Sequence, residues 1–152
     1  MKLYTPLLLL FLFTSCLGND DNSTSNNVNQ TEADIIQYIE DRNLEATRSD
    51  SGLYYVIYEE GNGDKPDSDS NVTVSYKGYF LDGSVFDQSN ESGISFNLQQ
   101  VIKGWTEGIT YFNEGGEGIL IVPSHLGYGA NYYNGIPGGS VLIFDIKLLK
   151  VD

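Results

Sequence analysis

Several residue types are scarce in this chain of 152 residues. Its single cysteine excludes an intrachain disulfide. The single histidine, His125, has no cysteine or second histidine with which to share a metal, so we interpret it as a loop residue and expect no metal site. Only 8 Lys and Arg face 21 Asp and Glu, which leaves no basic stripe for a nucleic acid. We attribute the acidity to solubility, with a cationic partner as the alternative.

Long apolar runs are scarce as well. Residues 7–13 are apolar, follow Lys2, and are too few to span a bilayer as a mature helix. This arrangement predicts a signal peptide over residues 1–15. Cys16 resembles the lipidated acceptor of bacterial lipoproteins, so we expect an exported protein anchored through Cys16 in the outer membrane, on its periplasmic face or at the cell surface. An ordinary signal peptide followed by an incidental cysteine is the alternative.

Two segments precede the main domain. Residues 16–30 are rich in Asn, Ser, Thr and Asp, which predicts a flexible tether. Residues 31–50 predict a small N-terminal helix, which Thr31 can cap. The apolar residues of its predicted face are Ile35, Ile36 and Ile39. We expect this face to dock on the protein's own domain, which would be monomeric, and a dimerisation arm is the alternative.

Residues 51–152 change from helical periodicity to alternating strands. Strands are predicted at residues 53–58, 72–76, 85–86, 119–122 and 141–149. Residues 81–84 have the composition of a hairpin turn. Apolar side chains over residues 101–112 share one side of a helix, in which Gly104 and Gly108 indicate a close approach to a neighbour. We therefore predict one α+β domain, an antiparallel sheet of about five strands wrapped around one short helix.

Two loops contain residues that could bind a ligand. Residues 123–140 are rich in Gly, Tyr and Asn and are too many for a plain connection, which is typical of a functional loop. Asp64, Asp67 and Asp69 lie close together but lack the calcium-loop pattern with its terminal glutamate. We interpret the three aspartates as a solvated turn, with calcium binding as the alternative.

Six motifs follow one another in the second half of the chain. Their residues are Tyr76 and Gly78; Asp82, Gly83, Phe86 and Asp87; Val101, Ile102, Gly104 and Trp105; Tyr128 and Gly129; Ile136 and Pro137; and Phe144 and Asp145. In this order they resemble the FKBP-type peptidyl-prolyl cis-trans isomerases, over about two thirds of the chain. The resemblance implies an FKBP-like fold for residues 51–152.

The resemblance also implies an apolar pocket rather than a charged catalytic centre. Trp105 would form its floor, Tyr128 would offer a hydroxyl to a substrate carbonyl, and Asp87 would add a carboxylate. Ile136 corresponds to a flap residue that touches ligand, and Ile94 stands where the family commonly has Phe. The residues assigned to catalysis are Tyr76, Phe86, Asp87, Tyr128 and Phe144, and those assigned to substrate binding are Ile94, Val101, Ile102, Trp105 and Ile136.

The chain departs from the family pattern at two places. The segment between Asp87 and Val101 is several residues shorter than usual and holds no Arg or Lys to pair with Asp87. We therefore expect tyrosine or backbone donors to orient this carboxylate. Gly138 and Gly139 replace the proline-rich end of the usual loop, which predicts a more mobile flap. Both departures predict an altered or lowered sequence preference rather than a loss of activity.

The chemistry expected of such a pocket is simple. Rotation about an X–Pro bond faces a barrier of about 18–20 kcal/mol because the planar amide must lose its resonance. Lowering this barrier requires no cofactor, only a dry site that favours the twisted amide. The sequence therefore predicts a prolyl isomerase that assists the folding of exported proteins by acting on their proline-containing segments. A non-catalytic proline-peptide-binding or chaperone module and a structural or adhesive surface lipoprotein are the alternatives.

Overall fold

A single antiparallel sheet organises the protein, of which the computed structural model describes residues 27–152. The predictions for the signal peptide, for Cys16 and for most of the tether lie outside the described residues. The strands are β1 Thr47–Arg48, β2 Tyr54–Glu59, β3 Asn71–Tyr79, β4 Val85–Gln88, β5 Ile94–Asn97, β6 Glu117–Val122 and β7 Leu142–Val151, and the α-helices are α1 Glu32–Asp41 and α2 Lys103–Gly108.

The strands are ordered β1-β2-β6-β7-β3-β4, and every neighbouring pair is antiparallel. The short strands β5 and β4 pair in turn with the first and second halves of β3. The α+β class is therefore confirmed, although the sheet of the described residues has seven strands rather than about five. The sequence missed β1 and β5 because strands of two and four residues are too short for a clear alternation.

Helix α2 packs on the inner face of the sheet. The predicted inward-facing residues of β7 all belong to this core, namely Leu142, Phe144, Ile146 and Leu148. A Cβ atom added to Gly104 would lie 2.5 Å from Val122 Cγ1, and one added to Gly108 would lie 2.7 Å from Leu120 Cδ1. The two glycines therefore allow α2 to lie directly on β6, which explains the close approach that the sequence indicated.

The helix predicted over residues 101–112 is shorter in the structure. It begins at Lys103 and ends at Gly108, after which Ile109–Tyr111 form a 3-10 turn. Val101 and Ile102 have extended backbones and precede the helix. This difference matters for the site because both residues can face a cavity at the helix N-terminus instead of packing along the helix side.

Helix α1 covers the outer face of the same sheet. Its N-cap residue, Thr31, donates its backbone N–H to Asp34 Oδ2 at 2.6 Å. Ile35 and Tyr38 are buried in an outer cluster, whose other buried members are Tyr54, Val56, Ile119, Ile121, Val141 and Ile143. Ile36 was wrongly assigned to this face and is 44% exposed, because positions i, i+3 and i+4 share a side of a helix. The docking of α1 on its own domain is thus observed.

The predicted boundaries at residues 30 and 51 divide pieces that the structure packs together. Val28 N–H donates to the Gly138 carbonyl at 2.8 Å, so residues 27–30 are bonded to the domain rather than free. β1 pairs with β2 and extends the sheet before residue 51. Among residues 27–152, no helix combines the length and the apolar character needed to cross a membrane.

Candidate functional site

An aromatic cavity of about 410 Å³ lies at one end of the inner core. Its lining residues are Tyr76, Phe86, Asp87, Ile94, Phe96, Gln100, Val101, Ile102, Trp105, Tyr128, Tyr133 and Phe144. The structure therefore brings together every residue that the sequence assigned to catalysis or binding, except Ile136. Phe96, Gln100 and Tyr133 also line the cavity and were missed.

Trp105 lies beneath the cavity at the first turn of α2 and is 5% exposed. Two neighbouring rings stand edge-on to the indole, Tyr76 at 5.0 Å and Phe144 at 5.2 Å between centroids. This arrangement suits the opposite charges of ring faces and edges and holds the indole in one orientation. Trp105 Nε1 is the one buried side-chain polar atom of residues 27–152 that has no hydrogen-bond partner. An unpaired buried donor costs about 1–3 kcal/mol, so the floor is not optimised for stability alone.

Phe86 forms a wall because β3 offers it space at Gly78. A Cβ atom on Gly78 would lie 2.7 Å from Phe86 Cζ and 3.0 Å from Phe144 Cε1. The rings of Phe86 and Phe144 are perpendicular, with centroids 5.6 Å apart. The position of the Phe86 ring therefore depends on the absence of a side chain at Gly78 on the neighbouring strand, β3.

Asp87 is held by a tyrosine of the same cavity. Tyr76 Oη donates to Asp87 Oδ2 at 2.6 Å. Burial raises the pKa of Tyr76, and the hydrogen bond to the Asp87 carboxylate raises it further. Of the two kinds of donor expected for Asp87, tyrosine or backbone, the structure thus shows a tyrosine. The pair places a carboxylate in a site whose other lining residues are aromatic or aliphatic except for Gln100.

The long loop contributes two stacked tyrosines to the cavity mouth. The rings of Tyr128 and Tyr133 are 4.9 Å apart and 11° from parallel. Burial raises the pKa of Tyr128, and the neighbouring Tyr133 and Asp87 add to this effect, so its hydroxyl remains a proton donor well into the alkaline range. Tyr133 comes before a two-residue turn, where Asn134 and Gly135 have φ of 44° and 90°. An Asn-Gly pair strongly favours such a turn and was the sequence signal that could have located Tyr133.

Ile136 lies elsewhere than predicted. It is 7% exposed and lines a second cavity of about 520 Å³ beside the first. Its backbone pairs with Tyr133 through two hydrogen bonds. The second cavity shares Phe86, Asp87 and Tyr128 with the main one, among other residues. Ile136 is therefore a neighbour of the aromatic cavity rather than part of its lining.

Backbone hydrogen bonds hold the base of the long loop at Gly138 and Gly139, the two glycines that were predicted to make the flap more mobile. The carbonyls of Gly138 and Gly139 accept from Val28 at 2.8 Å and Gln30 at 2.9 Å. Gly139 N–H donates to the Gly129 carbonyl at 2.8 Å. The two glycines thus have a packing role in the structure, whereas the greater mobility of the flap stays a prediction.

Of the three loop aspartates, Asp67 is bonded within its own turn. Asp67 Oδ1 accepts from Ser70 Oγ at 2.7 Å and from Asp69 N–H at 3.3 Å, as in a solvated turn. His125 Nε2 lies 2.9 Å from the Ser51 carbonyl. Within residues 27–152, no group of three or more His, Cys, Asp and Glu side chains is arranged to hold a metal ion.

Comparison of the sequence with known proteins identifies related domains. A family profile described as FKBP-type peptidyl-prolyl cis-trans isomerase matches residues 63–149. The FKBP-type peptidyl-prolyl cis-trans isomerase FkpA of Escherichia coli K12 is 44% identical over 105 residues, which cover 68% of this chain and 39% of the relative. FkpA of Buchnera aphidicola from Schizaphis graminum is 44% identical over 108 residues, which cover 69% and 43%. The chain spans about two fifths of the length of these curated relatives.

Comparison of the fold identifies similar solved structures. The crystal structure of E. coli FkpA superposes with a TM-score of 0.73 at 40% identity, covering 80% of this chain and 59% of that one. The crystal structure of a peptidyl-prolyl cis-trans isomerase from Pseudomonas syringae pv. tomato superposes with a TM-score of 0.70 at 30% identity, covering 80% and 92%.

Proposed function

The chain belongs to the FKBP-type peptidyl-prolyl cis-trans isomerases, and we propose that it accelerates rotation about X–Pro bonds in the cavity above Trp105. The observation that carries the proposal is the composition of this cavity. Seven of its lining residues are aromatic, and Asp87 is the one charged side chain among the lining residues. A neutral ring such as that of proline fits this lining, whereas a charged substrate group would lose its hydration there.

The first step of the proposed mechanism is the binding of the proline ring on the indole of Trp105. Tyr76, Phe144 and Phe86 line the same cavity as the indole and would surround the proline ring. Burial of the ring removes apolar surface from water and fixes the proline relative to the residue before it. The site thereby holds one side of the rotating bond while the other side turns.

The second step is stabilisation of the twisted amide. A planar amide separates charge between its oxygen and nitrogen, and this separation is less well supported among aromatic rings than in water. Twisting removes the resonance, so an apolar lining destabilises the planar form relative to the twisted one. The Tyr128 hydroxyl, at the cavity mouth, and the backbone at Ile102 would bind the flanking carbonyls and orient the peptide.

The Tyr76–Asp87 pair would act on the same bond through its charge. Tyr76 orients the carboxylate by a 2.6 Å hydrogen bond, and both residues line the cavity. An oriented negative charge next to a low-polarity space interacts more strongly with a substrate dipole than it would in water. We propose that this interaction distinguishes the twisted amide from the planar one, and that the tyrosine replaces a basic partner in fixing its direction.

We further propose that the protein is exported and is anchored to a membrane through lipidated Cys16. The support is the sequence alone: an apolar stretch at residues 7–13, Lys2 before it and the cysteine after it. Its substrates would then be proline-containing segments of other exported proteins that fold near the outer membrane. Mass measurement of Cys16 in protein extracted from the membrane fraction tests the anchor, and an unmodified thiol would contradict it.

The isomerase proposal is tested by the exchange rate of short X–Pro peptides, measured by NMR with the purified protein. We expect acceleration by the parent, at least a tenfold decrease in Phe86→Ala because the wall is removed, and a smaller decrease in Tyr128→Phe because one hydroxyl is lost. Tyr132→Phe is the matched control, since Tyr132 is an exposed tyrosine of the same loop outside the cavity lining. A folded parent that binds the peptides without accelerating exchange would instead indicate a proline-peptide-binding module.

A further inference from the structure

Residues 27–30, which we call the N-terminal strap, lie along the base of the long loop. Val28 and Gln30 donate their N–H groups to the carbonyls of Gly138 and Gly139, and Asn27 forms a parallel bridge with Gly138. Gln30 adds a third bond, since its Oε1 accepts from Val141 N–H at 2.7 Å. The strap thus contacts the end of the long loop, just before β7 begins. The two segments are distant in the sequence.

The two glycines allow this contact to be close. A Cβ atom on Gly138 would lie 2.3 Å from Asn27 Oδ1, and one on Gly139 would lie 2.8 Å from the Cα atom of Asn29. Both distances are shorter than non-bonded atoms tolerate. Gly139 also has φ of +77°, which a residue with a side chain rarely adopts. The glycine pair therefore leaves room for the strap, and Gly138 also leaves room for the Ala130 carbonyl, which lies 2.1 Å from the same Cβ position.

One further hydrogen bond links the strap to the catalytic cavity. Gly139 N–H donates to the carbonyl of Gly129 at 2.8 Å, which closes the loop between these residues. Gly129 directly follows Tyr128, the tyrosine whose hydroxyl we assign to the substrate carbonyl. A short route of bonded groups thus runs from Gln30 through Gly139 and Gly129 to Tyr128.

We propose that the N-terminal strap is a positioning element for the isomerase site, which fixes the base of the long loop and thereby the placement of Tyr128. The inference rests on the proposed isomerase function. Tyr128 is 39% exposed, so stacking on Tyr133 leaves its ring incompletely fixed, and the bonded backbone at Gly129 adds a further constraint. The strap residues themselves do not line the cavity and act only through the loop.

The test uses two pairs of variants in the full chain. Val28→Pro removes the N–H that Gly138 accepts, whereas Val28→Ala keeps it, and the Val28 side chain is 48% exposed, so little packing is lost. Gln30→Ala removes the acceptor of Val141 N–H, whereas Gln30→Glu retains an oxygen at that position. The readouts are hydrogen exchange of the Gly139 and Val141 amides, kcat and KM for an X–Pro peptide, and the denaturant midpoint of unfolding.

We expect Val28→Pro and Gln30→Ala to speed exchange of these amides by about three- to tenfold, the range for one lost hydrogen bond. Peptide KM should rise by about threefold with a smaller change in kcat, because Tyr128 is displaced while the floor stays intact. The two control variants and the unfolding midpoint should match the parent. A general loss of stability would move the midpoint together with the kinetics.

Two results would overturn the proposal. Unchanged amide exchange in both Val28→Pro and Gln30→Ala would show that the strap does not hold the loop. Faster exchange with an unchanged KM would show that the loop base does not position Tyr128. A parent protein that fails to accelerate peptide exchange would contradict the proposed function instead. In that case peptide affinity, measured by titration, replaces KM as the readout. The same variants are then compared to test the strap.

Discussion

The two faces of the sheet are packed by different means. On the outer face, α1 places Ile35 and Tyr38 against a closed and mainly aliphatic layer. On the inner face, α2 is shorter than α1 and places Trp105 in a cluster of aromatic rings. These rings do not fill the space between the helix and the sheet and leave a cavity of about 410 Å³. The outer layer buries apolar surface without an open site, whereas the inner layer keeps rigid rings around a gap. The comparison teaches that both faces bury an apolar layer, and that the inner layer also leaves the cavity in which we propose that the substrate binds.

The largest effect that separates the two faces is expected from Ile35→Ala. Ile35 is 1% exposed in the outer layer, and truncation of such a buried isoleucine costs about 2–5 kcal/mol of unfolding free energy. Isomerase activity per folded molecule should be unchanged, because α1 does not reach the cavity. Ile36→Ala, at the exposed neighbouring position, is the matched control and should stay within about 0.5 kcal/mol. Equal losses in the two variants, measured by urea unfolding, would contradict the assignment of the helix faces.

The next effect concerns the point where β3 makes room for Phe86. Gly78→Ala puts a methyl group into the Phe86 ring and should cost about 1–3 kcal/mol by overpacking, while activity falls towards that of Phe86→Ala. In the double variant Gly78→Ala with Phe86→Ala, the obstructing ring is absent. The two stability losses should therefore sum to more than the loss of the double variant, as urea unfolding of all three proteins would show. Simple additivity would mean that the ring is not what Gly78 accommodates.

A smaller effect on stability is expected from Trp105→Phe. The substitution loses packing area but also removes the unpaired Nε1 donor, so the change in unfolding free energy should be below about 1.5 kcal/mol. Peptide affinity should nevertheless fall by about threefold or more, because the floor under the proline ring is smaller. Phe112→Leu is the contrasting variant, since Phe112 is fully buried in the inner core but does not line the cavity. Phe112→Leu should lower the unfolding free energy and leave peptide affinity, measured by titration of a fluorescent peptide, unchanged. A loss of affinity in Phe112→Leu but not in Trp105→Phe would contradict the prediction.

The smallest effect is a pH dependence at alkaline pH. The pKa of Tyr76 is raised above its ordinary value of about 10 by burial and by the hydrogen bond to Asp87, so the folded state favours the neutral phenol. The resulting stabilisation is complete below pH about 10 and is lost as the pH rises through the folded-state pKa. The unfolding free energy of the parent should fall more steeply above pH 10 than that of Tyr76→Phe. Parallel pH profiles for the two proteins would exclude a folded-state shift at this tyrosine.

The sequence predicted most of the fold because its signals are local. The alternation at Val72 and Val74 and the inward residues of β7 appear in the structure as expected. Thr31 is the N-cap residue of α1 as predicted. The buried face of this helix, however, was assigned to three isoleucines, whereas the structure buries Tyr38 and exposes Ile36. A side chain with a polar hydroxyl is easily overlooked as core, although its ring buries a large apolar area.

The cavity was predicted with nine of its twelve lining residues, which the ordered motifs supplied. Phe96 was missed because it lies on β5, which pairs with β3. A strand of four residues is too short to show the alternation of apolar and polar residues that would predict it. Ile136 lines the neighbouring cavity after the turn at Asn134 and Gly135, and its predicted contact with ligand stays a prediction. Motifs thus identified residue types at the site, while the loop backbone set their directions.

The sequence by itself determined the class of the fold and the aromatic character of the site, because these follow from periodicity, turn chemistry and side-chain type. Its ordered motifs carried the resemblance to the family. Only the tertiary structure decided that α1 closes the outer face, that Tyr76 orients Asp87, and that residues 27–30 are bonded to Gly138 and Gly139. The first and third of these contacts join segments distant in the chain, and the second joins the neighbouring strands β3 and β4. In each case the geometry is one that neither segment encodes alone. Their partners are fixed when the sheet assembles and brings the backbone groups within hydrogen-bonding distance.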